Sequence, residues 1–134
     1  MDGTYYATIA RNMSEGIGSF WQPQLTKTVG PIFKDHPPLA FGLQSIGFTI
    51  FGDSLLVERF YSLLTYLISA YLISLIWKNI VHKEYKPYYW IPLLLWVTVP
   101  KMLWCVSNNM LENTLMIFVF ASIWAQIKFI KKDR

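Results

Sequence analysis

Three acidic side chains in this sequence stand where an apolar or amphipathic segment begins: Asp2, Asp35 and Glu112. His36 follows Asp35 directly, so one of the three places also carries an imidazole. Carboxylates and imidazoles exchange protons with bound ligands and are common general acids and bases. A structural interpretation competes with this one, because acids are favoured at helix N-caps and in first helical turns, where they complement the helix dipole.

The segments that follow these acids indicate a membrane protein. Apolar residues make up 54% of the 134 residues and charged residues only 15%, whereas a soluble domain has about 25% charged residues. The apolar residues cluster in the runs 60–77, 88–106 and 113–127, which approach the roughly 20 residues needed to cross a bilayer core. We therefore predict three transmembrane helices. Acids near a hydrocarbon boundary are costly to desolvate, and three of them on one face favour a functional site over capping.

The distribution of basic residues predicts the orientation in the membrane. The connector 78–87 has three lysines and one glutamate, and the tail 128–134 has four basic residues and one aspartate. The positive-inside rule places both segments in the cytoplasm. Residues 1–59, with five acids and four bases, are then extracytoplasmic, and the C-terminus is cytoplasmic. The net charge of +4 comes from these two cytoplasmic segments, whose basic residues orient the protein in the membrane. We therefore expect no nucleic-acid partner.

Two amphipathic helices are predicted in residues 1–59, both at the membrane interface. In 4–16, apolar residues recur at helical spacing opposite a polar face; the apolar residues are Tyr6, Ile9, Ala10 and Met13, and the polar ones are Thr8, Arg11, Asn12 and Glu15. A connector with Phe20 and Trp21 as interfacial anchors follows. Pro37 and Pro38 suit the first turn of the second helix, which is too short and polar to span and ends at Gly52.

The predicted fold class is therefore an all-α membrane protein. It combines an extracytoplasmic loop, residues 1–59, which carries the two interfacial helices, with a three-helix transmembrane region, residues 60–134. The candidate site residues fall on or next to the outer face of this arrangement.

Four segments of the chain resemble, in order and spacing, the motifs of membrane glycosyltransferases that use polyprenyl-phosphate sugars. The segments are DGTYYATIARNM, KDHPPLAFGLQSIGFTIFG, ERFYSLL and TVPKMLWCVSNNMLENTL. These enzymes form the GT-C class, and the chain is most similar to the lipid A aminoarabinose transferase and protein mannosyltransferase group, of glycosyltransferase family 39 type. The family pattern joins an acidic motif, D-E/G-x-x-Y-A-x-I-A-R, to a later D/E-K/H-P-P-L. The resemblance covers essentially the whole chain.

The resemblance implies an inverting sugar transfer and a role for each candidate residue. Asp2 matches the family's catalytic acid, which takes the proton from an acceptor hydroxyl, and Glu112 matches the second acid. Asp35 and His36 match the pair that lies beside the donor phosphate, with His36 standing where lysine is common. Arg59 matches a recurrent arginine whose role is structural or phosphate-binding. The catalytic loop is therefore expected to be residues 1–59.

The implied partners are a polyprenyl-phosphate-sugar donor, a lipid, glycan or protein acceptor, and the lipid bilayer. The resemblance leaves metal ligands unassigned and a divalent metal open. Relatives have a transmembrane helix before the first acidic motif and further helices after position 127, so it also implies an N-terminal part of a larger enzyme. Two other classes of protein share some of these features. A small non-enzymatic membrane subunit, with the acids as caps and the interfacial helices as scaffolding, stays open. A small multidrug-type transporter is disfavoured, because it requires a mid-span acid and the predicted spans have none.

Overall fold

A computed structural model describes residues 2–26 and 33–132 of the protein, and at Asp2 it describes the backbone alone. The chain is predominantly helical, as predicted. Its α-helices are α1 (Asp2–Ser14), α2 (Leu39–Phe51), α3 (Leu55–Ile80), α4 (Trp90–Thr98), α5 (Pro100–Ser107) and α6 (Leu111–Lys132), with a 3-10 helix at Lys83–Tyr89. Between α1 and α2, strands β1 (Gly18–Ser19) and β2 (Gln22–Pro23) form a short antiparallel hairpin that the sequence did not predict.

In the part of the chain that the structure describes, two helices are long and apolar enough to cross a membrane, α3 with 26 residues and α6 with 22. The middle predicted span is not a straight helix, because the segments Lys83–Thr98 and Pro100–Ser107 meet at a bend of 66°. Val99 at the break has an extended backbone. The ring of Pro100 disfavours a helical conformation of the residue before it, which explains the position of the break. Residues 2–26 and 33–132 thus contain three candidate spans if the bent pair is taken as one span, and two otherwise.

Helices α3 and α6 pack side by side and run in the same direction. Near their starts, the hydroxyl groups of Tyr61 and Thr114 lie 2.7 Å apart. Near their ends, the Lys131 ammonium donates a hydrogen bond to the carbonyl oxygen of Asn79. The chain returns between them through the 3-10 helix, α4 and α5. The Tyr61 hydroxyl also reaches the Ala40 carbonyl oxygen of α2 at 3.5 Å, so α2 meets the end of the pair opposite to the two basic segments.

Helix α1 packs on α2 through the face that the sequence pattern indicated. Tyr6, Ile9 and Ala10 are buried and form one apolar cluster with Phe41 and Phe48 of α2. At its C-terminus α2 ends at Gly52, as predicted, where φ is +77° and the backbone N–H bonds to the Phe48 carbonyl oxygen at 2.9 Å. The apolar face of α1 is thus covered by protein.

The helical pattern of 4–16 predicted that Asn12 lies on the polar face of the helix, but the structure places it in the interior. Its side chain is buried, and its Nδ2 donates hydrogen bonds to the carbonyl oxygens of Gln24 at 3.0 Å and Leu25 at 2.8 Å. The connector after the hairpin folds over this side of α1, and Asn12 is hydrogen-bonded to two of its backbone oxygens, as a buried amide requires.

An ion-pair cluster joins the end of α1 to the start of α3. The Arg11 Nε atom lies 2.5 Å from an Asp53 carboxylate oxygen, and Arg11 Nη2 donates to Glu58 at 2.9 Å. The guanidinium also lies over the Phe48 ring, 5.4 Å from its centroid. The side chain of Glu58 is 12% exposed and that of Asp53 is 58% exposed. Of the two acids, Glu58 is therefore the better shielded from water.

We expect the Arg11–Glu58 pair to contribute to stability and the Arg11–Asp53 pair to contribute less. Hydrogen bonds to charged groups are worth more when shielded, whereas exposed ion pairs contribute little. A double-mutant cycle with Arg11→Met and Glu58→Gln should give a coupling free energy of about 1 to 2 kcal/mol. The matched cycle with Asp53→Asn should give less than about 1 kcal/mol. The measurement is unfolding in detergent, followed by tryptophan fluorescence; equal coupling for the two acids would contradict the expectation.

Candidate functional site

The N-terminus of α1 is in contact with the turn that precedes α6. A Cβ atom at Gly3 would overlap the carbonyl oxygen of Asn108, so the close approach requires glycine. Asn109 adopts a φ of +51°, and its side chain is held on both sides. The Ser62 hydroxyl donates to its Oδ1 at 2.9 Å, and its Nδ2 donates to Gln44 Oε1 at 3.3 Å. A buried polar network therefore fixes the turn against which α1 begins.

This contact brings the backbone at Asp2 towards the start of α6. Asp2 directly precedes Gly3, and Glu112 lies in the first turn of α6, after the turn that Gly3 contacts. The side chain of Asp2 lies outside what the structure describes. Two of the three predicted acids are thus carried by elements that contact each other at one end of the helices.

A cavity of about 330 Å³ lies between α1, the start of α2 and the first turns of α6. We call it the Glu112 cavity. Its polar lining comes from Tyr6, His36, Glu112 and Thr114, and its apolar lining from Pro37, Leu39, Ala40, Leu111, Leu115 and Phe118. The structure therefore places two of the predicted site residues, His36 and Glu112, on the wall of one cavity.

The His36 imidazole is held by two aromatic rings. The Phe33 ring stacks on it with centroids 5.8 Å apart and planes 7° apart, and the Tyr6 ring approaches edge-on at 5.3 Å. The Tyr6 hydroxyl lies at hydrogen-bond distance, 3.3 Å, from His36 Nε2. Sequence reasoning assigned Tyr6 to the apolar face of α1 and missed this contact, because helical periodicity does not reveal what a tyrosine hydroxyl contacts.

Asp35 does not cap α2. The N-cap position is Pro38, no side chain caps the helix, and helical residues begin at Leu39, so the two prolines precede the first turn rather than forming it. Asp35 is exposed and lines a second cavity of about 370 Å³ with His36, Trp21 and Lys34 among its neighbours. His36 borders both cavities. The capping interpretation of Asp35 is therefore wrong.

Glu112 occupies the first turn of α6, where a carboxylate complements the helix dipole. Its side chain is partly buried on the wall of the cavity. In residues 2–26 and 33–132, no hydrogen bond or ion pair joins its carboxylate to another side chain. The position fits the dipole interpretation, and the carboxylate oxygens lie on the cavity wall without a partner among the described side chains.

Arg59 lies beside the turn before α6 and not beside His36. Its guanidinium donates a hydrogen bond to the Ser107 carbonyl oxygen and lines a third cavity of about 240 Å³, together with Gly3, Thr4 and Asn108. The structure therefore does not bring Arg59 to the Glu112 cavity. Within the described part of the chain, no group of three or more His, Cys, Asp or Glu side chains is placed to hold a metal ion.

A known protein family matches most of the chain. The family model described as dolichyl-phosphate-mannose-protein mannosyltransferase matches residues 35–134, which are 100 of the 134 residues. No curated protein and no solved structure matches the chain. The matched region includes Asp35, His36, Arg59 and Glu112, and the first acidic motif with Asp2 precedes it. The chain belongs to the dolichyl-phosphate-mannose-protein mannosyltransferase family, and with its two or three candidate spans it is a membrane protein of glycosyltransferase type.

Proposed function

We propose that the chain takes part in an inverting transfer of a sugar from a polyprenyl-phosphate carrier to a hydroxyl or phosphate group of a lipid, glycan or protein acceptor. The family supplies the general class, a membrane glycosyltransferase. The composition of the Glu112 cavity is the observation that supports the choice of donor. It combines an apolar wall with an imidazole and a carboxylate at one end of two candidate membrane spans.

A polyprenyl-phosphate sugar is amphiphilic, and the cavity has the matching distribution of side chains. Leu115 and Phe118 continue the apolar wall along α6, which is itself a candidate span, while His36 and Glu112 lie nearer its start. An isoprenoid chain would gain free energy by contacting the apolar wall, at roughly 25 cal/mol for each Å² removed from water. The sugar and phosphate would then lie at the polar end.

In the proposed reaction one bond forms as another breaks at the anomeric carbon. Asp2 takes the proton from the acceptor hydroxyl, the acceptor oxygen attacks the anomeric carbon, and the carbon–oxygen bond to phosphate breaks. The electron pair leaves with the polyprenyl phosphate. A single displacement from the face opposite the leaving group inverts the anomeric configuration. Asp2 therefore acts as the general base, a role typically worth 10²- to 10⁴-fold in rate.

His36 and Asp35 are proposed to lie beside the donor phosphate. A hydrogen bond from the imidazole stabilises the negative charge that develops on the leaving oxygen, and such preorganised donors are often the largest electrostatic contribution to catalysis. The Tyr6 hydroxyl and the Phe33 ring orient the imidazole for this contact. For Arg59 we propose the structural role that the sequence left open, because its guanidinium holds the turn at Ser107, against which α1 begins.

The proposed function is tested by donor consumption. Membranes that contain the full-length protein are supplied with a radiolabelled polyprenyl-phosphate sugar, and the loss of labelled donor and the gain of labelled acceptor are measured. Glu112→Gln should lower transfer by roughly tenfold or more, since it removes a carboxylate from the reacting end of the cavity. Glu84→Gln, in the exposed 3-10 helix at the opposite end, is the matched control and should not change transfer. Donor consumption no higher than in membranes without the protein would favour the non-enzymatic subunit.

We also propose that residues 1–59 are extracytoplasmic and that the C-terminus is cytoplasmic. In a Cys105→Ser background, Gln22→Cys should then react with a membrane-impermeant maleimide added outside intact cells. Lys83→Cys should react only after the membrane is opened, because the lysine-rich segments stay in the cytoplasm. Both positions are exposed, so access to the reagent depends on the side of the membrane. The reverse labelling pattern would overturn the orientation and the assignment of the active face.

A further inference from the structure

The parallel packing of α3 and α6 brings two lysine-rich segments together at one end of the helices. We call this region the basic end. It contains six exposed lysines: Lys78, Lys83, Lys86, Lys128, Lys131 and Lys132. Within residues 78–87 and 128–132 the only acid is Glu84. The two segments contact directly, since the Lys131 ammonium donates to the carbonyl oxygen of Asn79, 52 positions earlier. The basic end is therefore a joint surface of two segments.

A groove of about 310 Å³ opens at the basic end between the last turns of α3 and α6. Its wall is aliphatic, formed by Ile80, Val81, Ile127 and Ile130, and its polar rim is formed by Asn79, His82 and Lys131. An aliphatic wall beside an ammonium group matches a molecule that has both a hydrocarbon chain and an anionic group.

Aromatic side chains lie among the lysines of the basic end. The Lys78 ammonium lies 4.4 Å from the Tyr89 ring centroid, and the Lys128 ammonium lies 5.8 Å from that of Trp124. The Trp77 Nε1–H donates to the Tyr85 carbonyl oxygen at 3.0 Å. Tyrosine and tryptophan concentrate at membrane–water interfaces, because their rings are apolar and their donors polar. The ends of α3 and α6 thus carry an interfacial belt around the lysines.

Among the side chains that the structure describes, none of the six lysines of the basic end forms an ion pair. Both ion pairs observed among the described side chains are made by Arg11, at the opposite end of the helices. Lysines near a membrane surface are attracted to anionic lipids, and the attraction adds for each lysine. We propose that the basic end binds an anionic phospholipid, whose phosphate contacts Lys131 and its neighbours while one acyl chain lies in the groove along Ile127 and Ile130.

The direct test is a lipid titration of the purified full-length protein in detergent, read by native mass spectrometry. Dioleoyl phosphatidylglycerol should bind saturably, at least about tenfold more tightly than dioleoyl phosphatidylcholine, and added salt should weaken it. Equal affinity for the two lipids would overturn the proposal. The proposal would also be overturned if millimolar inorganic phosphate displaced bound phosphatidylglycerol as effectively as unlabelled phosphatidylglycerol does. The groove would then contribute nothing to the affinity.

Two charge-matched double variants locate the site. Lys131→Gln with Lys132→Gln should weaken phosphatidylglycerol binding by roughly tenfold or more, because two lysines are lost next to the phosphate. Lys34→Gln with Lys101→Gln removes the same charge outside the basic end and should leave binding unchanged. If both double variants bound phosphatidylglycerol equally weakly, the loss of affinity would be due to net charge alone, which would contradict a localised site.

A groove variant separates the acyl chain from the charge. Ile130 is 56% exposed, so Ile130→Trp can fill part of the groove without disturbing the packing of α3 and α6. We expect this variant to weaken phosphatidylglycerol binding at least about threefold while all six lysines remain. Unchanged affinity would rule out the groove as the acyl-chain site and with it the proposed mode of binding.

Discussion

Replacing Asp2 with asparagine is expected to lower the turnover of sugar transfer by about 100-fold or more, the lower range for loss of a general base. Asparagine has nearly the same shape as aspartate but no carboxylate to accept the acceptor's proton. Donor binding should change little, because Asp2 is proposed to act on the acceptor hydroxyl. The measurement is the rate of transfer at saturating donor, with donor affinity determined in parallel.

The same substitution separates catalysis from helix capping. Asp2 is the first residue of α1, where a carboxylate that only complements the helix dipole contributes about 0.3 to 1 kcal/mol to stability. Replacing such an acid with asparagine should lower stability slightly and leave turnover unchanged. Asp53→Asn is the matched control, since Asp53 is an exposed acid at the same end of the helices. Turnover close to wild type in Asp2→Asn would assign Asp2 to capping and remove the base from the proposed mechanism.

The position of Gly3 makes the test of Asp2 sensitive to geometry. Because no Cβ fits at Gly3 against Asn108, the start of α1 approaches the turn before α6 more closely than any other residue type would allow. That turn is fixed by the buried Ser62–Asn109–Gln44 hydrogen bonds. A conservative change at Asp2 itself leaves these contacts intact, so loss of turnover can be attributed to the carboxylate. Melting temperatures of the variant and wild type verify that α1 stays in place.

The long apolar runs predicted α3 and α6 well but not their lengths. The run 60–77 became the helix Leu55–Ile80, which starts where the Ser54 hydroxyl accepts the Leu56 N–H and continues past Lys78. Hydropathy detects the uncharged centre of a membrane helix, whereas its ends carry charged residues that stay near water. The helix is longer than the apolar run because Ser54 caps its start and the Lys78 side chain can extend towards water near its end. A hydropathy profile detects neither effect.

The bend at Val99 was visible in the sequence and was missed. The run 88–106 was interpreted as one span by its composition, although Pro100 lies inside it. A proline in a helix interior removes one backbone hydrogen bond and clashes with the preceding turn. Here the helix breaks and restarts with Pro100 at its first position, which needs no N–H donor. The proline predicts a break in the helix at this position, whereas hydropathy alone predicts a continuous span.

The grouping of the site residues was predicted only in part. Asp35, His36, Arg59 and Glu112 were all assigned to the outer face, but the structure distributes them over different cavities. The side of α1 on which a residue lies depends on how α1 packs against α2 and the turn at Asn108. Contacts between residues 105 positions apart, such as Gly3 with Asn108, leave no periodic signal. For this reason the sequence assigned Arg59 and His36 to the same outer face of the membrane, whereas the structure places them in different cavities.

The largest remaining effect is expected at His36, because its proposed contact is strongest when charge builds on the leaving oxygen. His36→Ala should lower the rate at saturating donor by about 100- to 1000-fold, the range found when one well-placed donor is removed. His36→Lys should retain much of the rate, since an ammonium can occupy the same position and donate to a phosphate oxygen. Tyr6→Phe should give a smaller loss, because it removes the hydroxyl that lies 3.3 Å from Nε2 but keeps the ring.

A purely structural His36 gives a different pattern of rates. Pro37 and Pro38 still precede α2 in every variant, and His36 is exposed, so alanine should then be tolerated and lysine should offer no advantage. His82→Ala, at an exposed histidine of the basic end, controls for general effects of losing an imidazole and should leave the rate unchanged. Expression in the membrane is measured for each variant, so that rates refer to equal amounts of protein. Equal rates for His36→Ala and wild type would exclude the phosphate contact, whereas loss with alanine and recovery with lysine would identify the cation as the group that the leaving phosphate requires.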